Sequence, residues 1–199
     1  IACYGDFSSF LHTATYDGTE IPSALYMRSR NSYDMHFEIK NLFIDLRNIN
    51  LIGILADELI KSKISNITIK HLSKIGCYVE RNCGGIMFYD MLMIANKQKA
   101  VGFFVEANDN YFDGIYMVDV TYRMIMSAAY NHISKFHPFI LTPSFFLGSA
   151  MIKMISRDAQ GNYVGESTII LDDCYADTYN VVFDVSSHIN HRILSKGLT

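Results

Sequence analysis

VDVTYRMIMSAAYNHI (118–133) decides how the chain reads. Its first half looks like a strand, an arginine follows, and then comes an apolar stretch with no glycine at its entrance. Ile125, Ala128, Ala129, His132 and Ile133 recur at helical spacing, so the segment predicts a strand turning into a helix at Arg123. A helix N-terminus leaves backbone N–H groups unpaired and carries partial positive charge, which suits an anionic group at that turn.

Upstream of this junction, IMFYDMLMIA (86–95) and AVGFFVEA (100–107) are strand-like runs joined by NKQK, and IYMVDVTY (115–122) is a third. Three such runs in series predict an antiparallel meander. Further back, MHFEIKNLFIDL (35–46) reads as a strand. LIGILADELIKSK (51–63) places Ile52, Leu55, Leu59 and Ile60 on one helical stripe, with Asn48 or Asn50 as cap. TIKHLSKIGCYV (68–79) is a weaker helix. Downstream, PFILTPS (138–144) reads as a short strand and GSAMIKMISRDA (148–159) as a helix, while 163–171 and 179–187 close the chain as strands. The first ~35 residues, with DGTEIPS as turn chemistry, form an N-terminal extension (1–34) before a single domain over 35–199. No internal repeat is read.

The bulk numbers bound the classes. With 199 residues, half of them hydrophobic, the chain supports one substantial core. A net charge of −3 without a basic run disfavours nucleic acid or an anionic membrane surface as partner. The longest apolar runs fall short of the ~20 residues a helical span needs. Cys3, Cys77, Cys83 and Cys174 match no tight zinc spacing and read as free thiols in a reducing compartment, the cytoplasm. The start at Ile1 reads as trimming or processing, and ACYGDFSSF has no signal-peptide pattern. His188 and His191 in HINH share a helical face but lack a third ligand, so no metal is assigned. LDDCYAD (171–177) lacks calcium-loop spacing.

The order strand, helix, helix, three strands, helix, strand, helix, strand, strand resembles the GNAT acyltransferase superfamily. VDVTYR (118–123) looks like that family's strand-to-helix junction, and SAMIKMISRDAQGNYVGESTIILDD with YNVVFDV looks like its last helix and closing hairpin. The resemblance implies an α+β fold with a mixed, mostly antiparallel sheet flanked by helices. It also implies transfer of an acetyl or other acyl group from acyl-CoA to a small-molecule or protein amine. Backbone groups of Met117, Val118 and Val120 would then hold the pantetheine arm, and Arg123, Met124, Ile125, Met126, Ser127 and Ala128 the pyrophosphate. Glu106 and Asp119 are the nearest carboxylates for a catalytic base, although a turn-forming role competes for each. Met126 stands where the family has its key glycine, and Ile155 where many members have an acidic tyrosine. Those departures keep open a non-catalytic binding or assembly protein on the same fold, with a protein partner or a second copy of the chain.

Overall fold

Six stretches of the chain repeat one pattern: IKNLFI (39–44), ISNITI (64–69), FYDMLM (88–93), FDGIYM (112–117), ISKFHP (133–138) and LDDCYA (171–176). An apolar residue, a spacer and a turn residue are followed by an inward position, and in the first five stretches by a second one two residues further on. The turn-tolerant positions Asn41, Asn66, Asp90, Gly114, Lys135 and Asp173, continued by Gly197, all have positive φ. Asn, Asp and Gly tolerate that left-handed backbone, Lys135 adopts it as well, and strand pairing continues in register on either side of it. Neighbours in the column interlock. Asn66 Nδ2 donates to Asn41 Oδ1 at 2.7 Å, and a Cβ on Gly114 would lie 2.8 Å from Asp90 Oδ1.

The computed structural model describes residues 12–29, 37–47, 49–145, 148–155, 167–175, 181–185 and 191–198. Each repeat is one coil of a β-solenoid. The even-numbered strands, β2 (Thr19–Arg28), β4 (Ile52–Asp57), β6 (Ile75–Val79), β8 (Val101–Val105), β10 (Tyr122–Met126), β12 (Ala150–Met154) and β14 (Val181–Val185), stack in that order in one sheet. The odd-numbered strands β3 (Glu38–Asp45), β5 (Lys63–Leu72), β7 (Met87–Ala95), β9 (Tyr111–Val118), β11 (Asn131–Phe139), β13 (Thr168–Asp172) and β15 (Arg192–Lys196) form the other. Register partners Glu38, Lys63, Met87, Tyr111 and His132 set coil lengths of 25, 24, 24 and 21 residues. Only β1 (Thr13–Tyr16) pairs antiparallel, with β2.

The core lies between the sheets and is built of like residues stacked on like. Phe88 and Phe112 are parallel rings 5.1 Å apart, and Phe103 meets both edge-on at 5.2 and 4.9 Å. Gly53, Gly76 and Gly102 follow the register partners Ile52, Ile75 and Val101, where the sheets approach closely. A second apolar layer covers the outer face of the even sheet. There Ala14 and Ile21 of the β1–β2 hairpin bury Ile52, Ile75, Val101 and Phe104, and the Tyr16 ring meets Phe104 edge-on at 5.1 Å.

The α+β, GNAT-like reading is therefore corrected. No α-helix occurs among the described residues, and every pairing except β1–β2 is parallel. The expected helix at 51–63 is strand β4 and the corner after it; the expected helix at 68–79 is the end of β5, a turn and β6. Their helical stripes arose because β4 and β6 are buried on both faces, one against the core and one under the hairpin. A strand covered on both sides is a continuous apolar run, which periodicity does not separate from a buried helix. The segment after Arg123 is likewise strand β10, a corner and strand β11, and 150–154 is strand β12. The expected short strand at 138–144 is the end of β11 followed by a 3-10 turn at Pro143–Phe145. The runs at 86–95, 100–107 and 115–122 hold strands β7, β8 and the end of β9. They do not form a meander, because β7 pairs with β5 and β9 while β8 pairs with β6 and β10. The chain is a repeat protein after all.

Candidate functional site

The corner that leads from each even strand to the next odd strand is built on a second left-handed column: Lys61, Gly85, Asp109 and Tyr130. Asn110 and Asn131, each one residue later, form a buried ladder there. Asn110 Oδ1 accepts from the Ile86 N–H at 3.0 Å. Asn131 Oδ1 accepts from the Asn110 backbone N–H at 3.1 Å and from its Nδ2 at 3.0 Å. Both side chains also donate to the Ala107 carbonyl, at 2.8 and 3.2 Å. The ladder meets backbone polar groups that the turning chain takes out of its sheets.

Just before this corner the even strands end in a column of carboxyls. Ala56, Val79 and Val105 are in register, so Asp57, Glu80 and Glu106 follow on successive coils, roughly 4.8 Å apart by strand spacing. Tyr26 donates to Asp57 Oδ2 at 2.6 Å, and Tyr78 donates to the buried Glu106 at 3.0 Å. Arg28 approaches Asp57 at 3.4 Å and forms a two-pronged pair with Glu58, both bonds at 2.9 Å. Burial, with the negative charges of Asp57 and Glu106, pushes Glu80 up to about 7.

The outer face of the odd sheet is different in kind. Tyr116 and His137 are register partners on β9 and β11, with ring centroids 5.7 Å apart. Tyr175, whose N–H donates to the Phe136 carbonyl, continues the row with its ring edge-on to His137 at 4.9 Å. These side chains, with Lys135, Phe136 and Asp173, line a shallow groove of about 460 Å³. Tyr116 and Tyr175 are half exposed, at 50% and 49%. Lys135 lies 3.5 Å from Asp113 on the neighbouring coil. Beside the groove, Tyr111 and His132 repeat the tyrosine–histidine step at 5.6 Å.

The residues singled out from sequence lie elsewhere or in other roles. Glu106 belongs to the carboxyl column after β8; Asp119 sits at the opposite end of β9, so one coil separates them to its two corners. Asp119 Oδ1 accepts from the Leu141 and Thr142 N–H groups at 2.7 and 2.8 Å, and Oδ2 from the Thr142 hydroxyl at 2.6 Å. It is the clamp of a loop. Asp119→Ala is expected to lower stability by about 2 kcal/mol through the orphaned N–H groups. Asp119→Asn should recover part of that in a thermal melt, since an amide oxygen still accepts. Equal melts for parent and alanine variant would contradict the clamp.

Met117 is buried in β9, Val118 ends that strand, and Val120 is buried in the turn. Arg123, Met124, Ile125 and Met126 form β10, and Ser127 and Ala128 the corner after it. The turn expected to hold pyrophosphate through a helix N-terminus is thus a strand paired on both sides, to β8 and β12. Arg123 is fully buried, with Nη1 donating to the Thr121 carbonyl at 3.1 Å. Cys77, Cys83 and Cys174 are buried free thiols. His188 lies outside the described residues, and those residues hold no group of three metal-ligating side chains. No helix among them is long and apolar enough to cross a membrane.

Sequence reasoning missed both the carboxyl column and the tyrosine–histidine row. Their members are 20–40 residues apart and align only through the coil repeat. A search for self-similarity would have found the signal, because the N/D/G column sets the register that aligns them. No protein-family model matches the chain, and no curated protein or solved structure matches it either.

Proposed function

We propose that the protein is a saccharide-binding β-solenoid whose odd-sheet face takes a linear oligosaccharide. The observation that carries this reading is the row Tyr116, His137 and Tyr175 on consecutive rungs, with the two tyrosines exposed, the half-buried His137 between them, and Lys135 and Asp173 at its borders. Ring faces pack against the C–H faces of pyranoses, while the interleaved amine, imidazole, carboxylate and phenol groups hydrogen-bond the hydroxyls. The rung spacing of about 4.8 Å is close to the length of one sugar unit, so a repeating ligand meets a repeating platform. A shallow groove with charged borders also fits a hydrated ligand better than an apolar one. The acyltransferase reading is withdrawn, since the fold that implied it is absent. The buried thiols support a reducing compartment, such as the cytoplasm, as the place where the chain folds.

The test is a glycan array of neutral and anionic linear oligosaccharides, followed by calorimetric titration of the strongest binder. Tyr116→Ala and Tyr175→Ala should each weaken binding roughly fivefold to tenfold, as loss of one ring contact costs about 1 kcal/mol. Asp17→Asn, in the hairpin turn on the other sheet, should change nothing. An array with no hit, or affinity untouched by both tyrosine variants, would remove the proposal.

A further inference from the structure

We propose that the oligosaccharide taken by the odd-sheet groove carries a cationic, ammonium-type substituent, seated over His137 among Tyr116, Tyr175 and Phe139 and answered by Asp173. In naming the ligand's charge this rests on the saccharide reading of the same groove. Three rings meet His137: Tyr116 on the coil before it, Tyr175 on the coil after it, and Phe139 two residues along its own strand. Their planes are inclined to the imidazole by 57°, 78° and 49° in that order. A flat pyranose lies on one such ring at a time. Inclined rings close around a point instead, and their electron-rich faces favour a cation there over an anion.

The spacing suits a compact group. Tyr116 and Tyr175 stand two rungs apart, roughly 9.6 Å by strand spacing, and the thickness of the rings takes up about 3.5 Å of that. The gap of about 6 Å that remains over the half-buried His137 matches the width of a methylated ammonium group. The groove as a whole holds about 460 Å³, which leaves room for the sugar that bears the group.

The charges around the groove point the same way. Lys135, two residues before His137, lies 3.5 Å from Asp113 of the preceding coil, which offsets its charge. Asp173 takes the turn position of Lys135 one coil on, and its side of the groove is anionic. With two carboxylates to one amine, a cation is attracted to this point and an anion repelled. A methylated ammonium holds its water weakly and exchanges it for ring faces at small cost, whereas a bare metal cation does not.

Calorimetric titration of the full chain at about pH 8 tests this with the N,N,N-trimethylated β-1,4-glucosamine tetrasaccharide and its neutral N-acetylated counterpart. The permanently charged sugar should bind at least about tenfold more tightly. Asp173→Asn, which keeps an accepting oxygen and loses the charge, should cut that preference to below about threefold, and Tyr175→Leu should reduce it as well. Tetramethylammonium chloride, with no sugar attached, should shift the His137 ring resonances saturably where sodium chloride does not. Equal affinity for the two sugars overturns the cation seat and leaves the saccharide reading standing. A preference that survives both variants also overturns the seat, because it places the cation elsewhere. Saturable tetramethylammonium binding with neither sugar bound keeps the seat and removes the saccharide, and silence from all three probes removes both.

Discussion

Asn110→Leu should lower stability by about 4 kcal/mol, a shift of roughly 10 °C in melting temperature for a chain of this size. Leucine keeps the volume but removes the acceptor for the Ile86 N–H and the donor to the Ala107 carbonyl. It also takes one donor from Asn131 Oδ1. Asn110 and Asn131 are both fully buried, so no water replaces the lost partners. Each orphaned buried group costs about 1–3 kcal/mol, and the corner couples two coils, so the loss spreads along the stack. Thermal and urea melts followed by circular dichroism measure it. A melting temperature equal to that of the parent would mean that the corner does not depend on the ladder.

Gly102→Val is expected to cost about 3 kcal/mol, by overpacking rather than by loss. A Cβ at this position would lie 2.5 Å from Met117 Sδ and 2.6 Å from the Arg123 carbonyl oxygen. The methionine can swing aside, since its chain is flexible. The carbonyl belongs to the paired strand β10 and has no such freedom. A Gly102→Ala, Met117→Ala pair should therefore recover only part of the loss from Gly102→Ala alone. Full recovery would place the whole conflict on the methionine. One coil on, Arg123 takes the register position of Gly102, and Pro138 that of Met117.

The strands themselves were legible where one face meets solvent. MHFEIKNLFIDL, IMFYDMLMIA and IYMVDVTY alternate or carry β-branched and aromatic residues, and each holds a strand. Where both faces are covered alternation vanishes: the runs at Ile52–Asp57 and Tyr122–Met126 then pass for helices, while the equally buried Val101–Val105 still reads as a strand through its Val and Phe content. Asp119 was legible as a turn former, because aspartate beside a strand end commonly bonds nearby N–H groups. Glu106 was legible only as a strand-end carboxylate; its neighbours Glu80 and Asp57 become neighbours through the coil.

By itself, the chain's sequence determined which residues face inward on the exposed strands and favoured a left-handed backbone at Asn41, Asn66, Asp90 and Gly114, though not at Lys61, Lys135 or Tyr130, which adopt it too. Those are local properties, set by alternation and by the tolerance of Asn, Asp and Gly for positive φ. Tertiary structure decided the pairing. Alternation states that a strand has a partner and is silent on which one, so a meander between chain neighbours and a stack of coils about 24 residues apart read alike at that level. Stacking like on like, Phe88 on Phe112 and Asn110 on Asn131, builds the core between the sheets and satisfies the corners together, while the β1–β2 hairpin covers the outer face of β4, β6 and β8. It also brings Asp57, Glu80 and Glu106 to one edge and Tyr116, His137 and Tyr175 to the opposite face. No local pattern carries those juxtapositions, because each is made by strands whose separation in sequence is a whole coil.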